Sequence, residues 1–167
     1  MLSTGRLDIR PFRETDLDGL FRIYGDEETM RYSGGSGGAH TRKETAASLA
    51  RLMAHQEEHG FSLYALIDRQ RDEFVGECGM VQVEFTGPEV EIAYYIVRDH
   101  WGQGYATEAT RACLDHGFAD LGLDRIIGLA WPDNPASLRV MEKAGMTYEG
   151  MHTYYGREMA RYAAGPR

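Results

Sequence analysis

Two hydrophobic periods take turns along the chain. Leu7, Asp8, Ile9 and Arg10 alternate apolar with polar and predict a strand over residues 7–10, closed by Pro11. Leu17, Leu20, Phe21 and Tyr24 fall at helical spacing and predict a helix over residues 16–24 capped by Thr15. Thr41 and Glu44 have the spacing of a capping box and open a helix that runs to about His59, where Gly60 stops it. Residues 61–68 and 74–85 predict the two strands of a hairpin that turns at 69–72. After the turn at Gly87-Pro88, residues 90–97 are apolar at nearly every position, the pattern of an interior strand covered on both faces. Ala106, Ala109, Cys113 and Gly117 then recur every three or four residues, a small-residue stripe that lets a helix lie close on a sheet, and Leu114, Phe118 and Leu121 widen it. A strand over 125–131, a helix over 135–143 and two short strands near Tyr148 and Tyr162 complete the chain. With no internal repeat and no linker, this order predicts a single α/β domain with a mixed sheet.

The most informative stretch is Trp101-Gly102-Gln103-Gly104-Tyr105-Ala106-Thr107, where the interior strand hands over to the small-residue helix. Glycines at 102 and 104 allow a tight turn, and a helix start offers unpaired N–H groups at the positive end of its dipole. Strand, turn and helix together predict an anion seat suited to a diphosphate. Two nucleotide-binding motifs are excluded. Tyr105-Ala106 follows the last glycine where a phosphate loop needs Lys-Ser or Lys-Thr, and Thr107 stands where a dinucleotide fingerprint needs its third glycine.

Glu91-Ile92-Ala93-Tyr94-Tyr95-Ile96-Val97, Trp101 to Ala109, Asn134-Pro135-Ala136-Ser137 and Glu142-Lys143-Ala144-Gly145-Met146 together resemble the GCN5-related N-acetyltransferases (GNAT). The branch most similar in pattern acetylates the N-termini of ribosomal proteins. The resemblance covers nearly the whole chain, and the domain it implies spans residues 6–164. It implies a mixed sheet whose two central parallel strands splay apart, flanked by helices, with acetyl-CoA as cosubstrate. The pantetheine arm would lie between the strands ending at Val97 and Trp131, bonded by backbone groups of Ile96 and Val97. The diphosphate would be held by Gly102, Gln103, Gly104, Tyr105, Ala106 and Thr107, and Asn134 would bond the pantetheine arm. Two positions depart from the family pattern. Trp101 stands where an Arg or Gln is usual, and Met141 stands where many relatives carry a tyrosine acid.

Acetyl transfer to an amine needs a positioned donor, a neutral amine, a stabilised oxyanion and a protonated leaving thiolate. Donors aimed at an oxyanion contribute ~2.7–4 kcal/mol each, and juxtaposition of the reactants ~7–11 kcal/mol. The resemblance makes Ser137 the candidate acid that faces the thiolate; as a first-turn helix serine it has an equal claim to a purely structural bond. Glu91, a carboxylate opening an apolar strand, is the candidate base, with Glu84 or a water as alternatives. An α-amine of pKa ~8 needs a weaker base than a lysine of ~10.4. The resemblance implies a primary amine as acceptor, either a protein or peptide N-terminus or a small molecule. A non-catalytic acyl-CoA-binding sensor is the alternative from another class, suggested by the missing tyrosine.

Composition narrows the field further. A net charge of −8 argues against nucleic acid as partner and mildly favours cationic acceptors. No apolar run suffices to span a membrane and no signal peptide is evident, so a cytoplasmic protein is expected, as monomer or homodimer. Cys78 and Cys113 read as buried free thiols. His55, Glu58 and His59 match a zinc-peptidase spacing, but the stretch is wholly polar and ends at a glycine stop. No metal is expected. The run Ser33-Gly34-Gly35-Ser36-Gly37-Gly38 reads as a mobile connector rather than a second phosphate cradle, and the family resemblance implies that it borders the acceptor side.

Overall fold

The computed structural model describes residues 1–33 and 38–166. Most of the glycine-rich run at 33–38 therefore lies outside the described residues. The elements are β1 (Leu2–Ser3), β2 (Leu7–Pro11), α1 (Leu17–Tyr24), α2 (Glu27–Met30), α3 (Arg42–His59), β3 (Leu63–Asp68), β4 (Glu73–Gln82), β5 (Val90–Ile96), α4 (Tyr105–Ala119), β6 (Ile126–Ala130), α5 (Pro135–Ala144), β7 (Thr147–Tyr154) and β8 (Arg157–Ala164). The strands form one eight-stranded sheet in the order β1-β2-β3-β4-β5-β6-β8-β7. Every neighbouring pair is antiparallel except β5 with β6.

That parallel pair is short. Only Glu91 with Ile127 and Ile92 with Gly128 are in register, although β5 runs on to Ile96 and β6 to Ala130. Beyond Ile92 the two strands part, and the sheet opens into a wedge. The other edge of β5 stays fully laced to β4, from Gly76 opposite Ile96 to Gln82 opposite Val90.

Each face of the sheet has its own core. Leu66, Val75, Cys78, Met80, Ile92 and Ile96 pack beneath α4 and α5 against Ala109, Cys113, Leu114 and Met141. Leu63, Ala65, Val81 and Val97 pack on the opposite face against Leu20, Ile23 and Tyr24 of α1 and Leu49 and Leu52 of α3. The stripe of small residues acts as the sequence predicts. A Cβ on Gly117 would lie 2.6 Å from Ile126 Cδ1 and 2.7 Å from Met80 Sδ, so only glycine lets α4 approach this closely. Cys78 and Cys113 are buried, free and neighbouring, the Cys113 thiol lying 3.8 Å from the Cys78 carbonyl.

Local signals placed most ends correctly. Thr41 and Glu44 close their reciprocal capping box, and Gly60 ends α3 with φ 78°. Three expectations are corrected. Thr15 does not cap α1; it lies inside a 3₁₀ turn, where Asp16 accepts the Arg13 N–H at 2.7 Å and pairs with Arg10 at 2.8 Å. The strand expected over 74–85 ends at Gln82 because Glu84 and Phe85 adopt positive φ. The final two strands are eight residues each rather than short, since they pair with one another along their length. The short elements β1 and α2 had no periodic signature to announce them.

Candidate active site

The wedge and the turn before α4 meet at the C-terminal end of β5. Gly102 and Gly104 hold positive φ of 75° and 84°, as a tight turn there requires. Gly104 is the N-cap of α4 and supplies no side chain to it. The first intrahelical bond is Glu108 N–H to Gly104 O at 3.1 Å, which leaves the amides of Tyr105, Ala106 and Thr107 without helical acceptors. An uncapped start with free donors and a glycine lip is the chemistry a diphosphate needs, so this loop fits the coenzyme A diphosphate. Trp101 is not a cation substitute: its indole N–H donates to the Ile96 carbonyl at 2.7 Å and braces the strand end.

The two backbone positions expected to hold the pantetheine arm behave differently. Val97 N–H donates to Val75 O at 2.9 Å, and the Val97 carbonyl accepts from His100 N–H at 2.8 Å. Val97 is thus committed to the protein itself, a correction to its expected role. Alternation along an antiparallel ladder turns the Ile96 amide the other way, into the wedge. Ile96 keeps its candidacy through that N–H alone.

Asn134 Oδ1 accepts the Ser137 N–H at 3.2 Å, the capping role, while Pro135 occupies the first helical position. Ser137 Oγ lies 2.9 Å from the Tyr94 hydroxyl, which also donates to the Ser137 carbonyl at 3.0 Å. Burial pushes the Tyr94 phenol upward and keeps it protonated. The position of Tyr94, two residues before the strand's end, carries no sequence signal for this contact. Met141, at the position of the family's tyrosine, is fully buried with its sulfur over Gly128.

Glu91 is the second residue of β5 and is only 7% exposed. Successive side chains on a strand alternate faces, so Glu91 shares the α1/α3 face with Ala93 and Tyr95, whereas Tyr94 points to the α4/α5 face. Burial pushes the Glu91 carboxyl up to about 7; a hydrogen bond from Tyr155 opposes that rise and the nearby Glu84 carboxylate adds to it. Tyr155 sits in the β7–β8 turn with φ 51°. Its N–H donates to Glu84 Oε1 at 3.1 Å, and its hydroxyl oxygen accepts the Glu84 N–H at 3.2 Å. Glu84 therefore lies in a turn rather than on the preceding strand, positioning Tyr155. Tyr155 owes this orientation to the pairing of β7 with β8.

A further buried carboxyl has no sequence signal at all. Glu77 on β4 is fully buried, and neither oxygen has a hydrogen-bond partner. Its pKa is driven to about 8 by burial, and the Tyr24 hydroxyl nearby falls short of bonding geometry, so burial prevails. His55 on α3 is tied to the backbone: its Nδ1–H donates to the Phe61 carbonyl at 2.8 Å, its Nε2 faces the Gln82 N–H at 3.5 Å, and burial lowers its pKa.

Similar proteins share this architecture. The family model for the acetyltransferase (GNAT) domain matches residues 6–147. An uncharacterized protein of Bacillus subtilis, YkkB, is 34% identical over 163 residues, covering 96% of this chain and 93% of its own. The crystal structure of a GNAT-family acetyltransferase from Bacillus anthracis superposes with a TM-score of 0.84 at 27% identity, covering 98% of this chain and 97% of that one. RimL, a ribosomal L7/L12 alpha-N-protein acetyltransferase in complex with coenzyme A, shares the fold at a TM-score of 0.81 and 18% identity, covering 97% of this chain and 95% of that one. The chain belongs to the GNAT family and is an acetyl-CoA-dependent N-acetyltransferase.

Proposed function

We propose that this enzyme acetylates the α-amine of a peptide or protein N-terminus, with Glu91 as the base and Ser137, backed by Tyr94, as the acid. Acetyl-CoA supplies an activated acetyl thioester. The observation that carries the reading is the placement of Glu91 and Tyr94 on opposite faces of β5, beside the point where β6 departs. A donor lying in the wedge under α4 and α5 and an amine arriving from the α1/α3 face then meet through the opening. Glu91 on the acceptor face takes the proton that the attacking nitrogen loses as the C–N bond forms. Ser137 on the donor face gives its proton to sulfur as the C–S bond breaks, and the Tyr94 hydroxyl stands in line to replace it. The Ile96 N–H, free in the wedge, is the donor aimed at the carbonyl oxygen.

Base strength selects the acceptor. A carboxylate of pKa about 7 lies within about a unit of an α-ammonium at ~8, but more than three units below a lysine at ~10.4. The test follows thiol release from acetyl-CoA with three acceptors: a peptide whose only amine is its N-terminus, the same peptide N-blocked with a free lysine, and a polyamine. Turnover on the first and little on the others supports the reading; preference for the lysine peptide or the polyamine overturns it.

A further inference from the structure

We infer that Arg6 shapes the diphosphate seat from behind, supplying from the β1–β2 turn the guanidinium that Trp101 cannot. The inference rests on the reading of the loop as the coenzyme A diphosphate site. Arg6 Nη1 donates to the Gln103 carbonyl at 2.9 Å across a sequence separation of 97 residues. In a trans peptide the C=O and N–H point in opposite directions. Pinning the Gln103 carbonyl towards Arg6 therefore turns the Gly104 N–H the other way, to join the free amides of Tyr105, Ala106 and Thr107. A Cβ at Gly104 would meet a single atom, Arg6 Nη2 at 3.5 Å, so the guanidinium lies directly against the glycine.

The same side chain controls a charge. Glu108 sits in the first turn of α4, beside the seat, where a bare carboxylate would repel a diphosphate. Arg6 covers it: Nε donates to Glu108 Oε2 at 2.7 Å, Nη2 reaches that oxygen at 2.6 Å, and the Arg6 backbone N–H bonds Oε1 at 3.0 Å. The guanidinium plane also lies 4.5 Å over the Tyr105 ring, which fixes its orientation. Only a planar fork satisfies the Gln103 carbonyl and Glu108 together while stacked on a ring; a lysine ammonium does one of these at a time. Arg6 is thus a positioning residue, aligning the amides and masking the one acidic group of the helix start.

The test measures coenzyme A and pantetheine affinities by calorimetry, with thermal unfolding as a check of fold. Arg6→Ala is expected to weaken coenzyme A roughly tenfold or more while leaving pantetheine, which lacks the diphosphate, unchanged. Glu108→Gln is expected to bind coenzyme A as well as the parent or better, and Arg6→Ala/Glu108→Gln to recover part of the loss. Arg6→Lys should fall between parent and alanine, and serves in its place if the alanine variant does not fold. Equal loss for both ligands, or a double variant weaker than Arg6→Ala, overturns the inference, because a merely structural brace gives those results. A folded parent protein that binds pantetheine but shows no preference for coenzyme A would instead overturn the diphosphate seat itself, and the inference with it.

Discussion

The hydroxyl of Tyr155 donates a hydrogen bond to Oε1 of Glu91 across 64 residues of sequence. This bond stabilises the ionised carboxylate against a burial that favours the protonated form. The balance leaves Glu91 near 7, where it exchanges protons at physiological pH.

Replacing Glu91 with Gln should lower kcat/KM roughly 10²-fold or more at pH 8 and remove the acidic limb of the pH–rate profile. In the parent enzyme that limb should be centred near pH 7, with activity rising as the carboxyl ionises. Tyr155→Phe removes the bond that lowers the Glu91 pKa, so the limb should move to higher pH while the rate at high pH is largely kept. Initial rates between pH 5.5 and 9 decide both. An unchanged profile in Glu91→Gln excludes it as the base.

Ser137 and Tyr94 act in series if they pass one proton. Ser137→Ala should reduce kcat tenfold or more with little change in the KM for acetyl-CoA, and Tyr94→Phe should do the same more mildly. Their effects should not add, since Tyr94 reaches the reaction through Ser137. Additive losses in the double variant would place Tyr94 in a separate role.

Gly104→Asp forces a side chain onto a φ of 84° and sets a negative charge at the diphosphate seat. The backbone strain alone is worth ~1–2 kcal/mol. Coenzyme A affinity is expected to fall at least tenfold by calorimetry; retained affinity would move the diphosphate elsewhere.

Glu77 predicts a pH dependence of stability. Its folded pKa, about 8, stands above its ordinary value of 4.5, so between these values the folded state holds a proton that the unfolded chain releases. Its contribution to stability is therefore complete below pH 4.5 and declines as pH rises towards 8. Glu77→Gln removes this dependence and should flatten the decline by on the order of a few kcal/mol over that range. Denaturant unfolding of both proteins at pH 5 and pH 8 measures the difference. A parallel fall in the variant assigns the dependence to other groups.

The interior position of β5, the capping box of α3, the small-residue stripe of α4 and the glycine turn before it were all legible in the sequence. Each is a local device, written in residues a few positions apart, and its physics is local: helical spacing, reciprocal capping or tolerance of positive φ. The family resemblance added the splay of β5 from β6 and drew attention to Ser137 and Asn134. Neither source oriented Val97, whose amide direction depends on which edge of β5 carries the ladder to β4.

What the sequence determined by itself was the order of elements, the apolar interior strand and the glycine turn before α4, because backbone sterics and side-chain period act over one or two turns of chain. What only the tertiary structure decided was the company those elements keep. Tyr155 reaches Glu91 because β7 and β8 pair, Tyr94 meets Ser137 because α5 packs against α4 and β6 beside the wedge, and Arg6 closes on Gln103 because α4 packs against β2. Those contacts join residues tens of positions apart. No local periodicity encodes them, since they arise only when burial of the two cores brings the faces and edges of the sheet to rest.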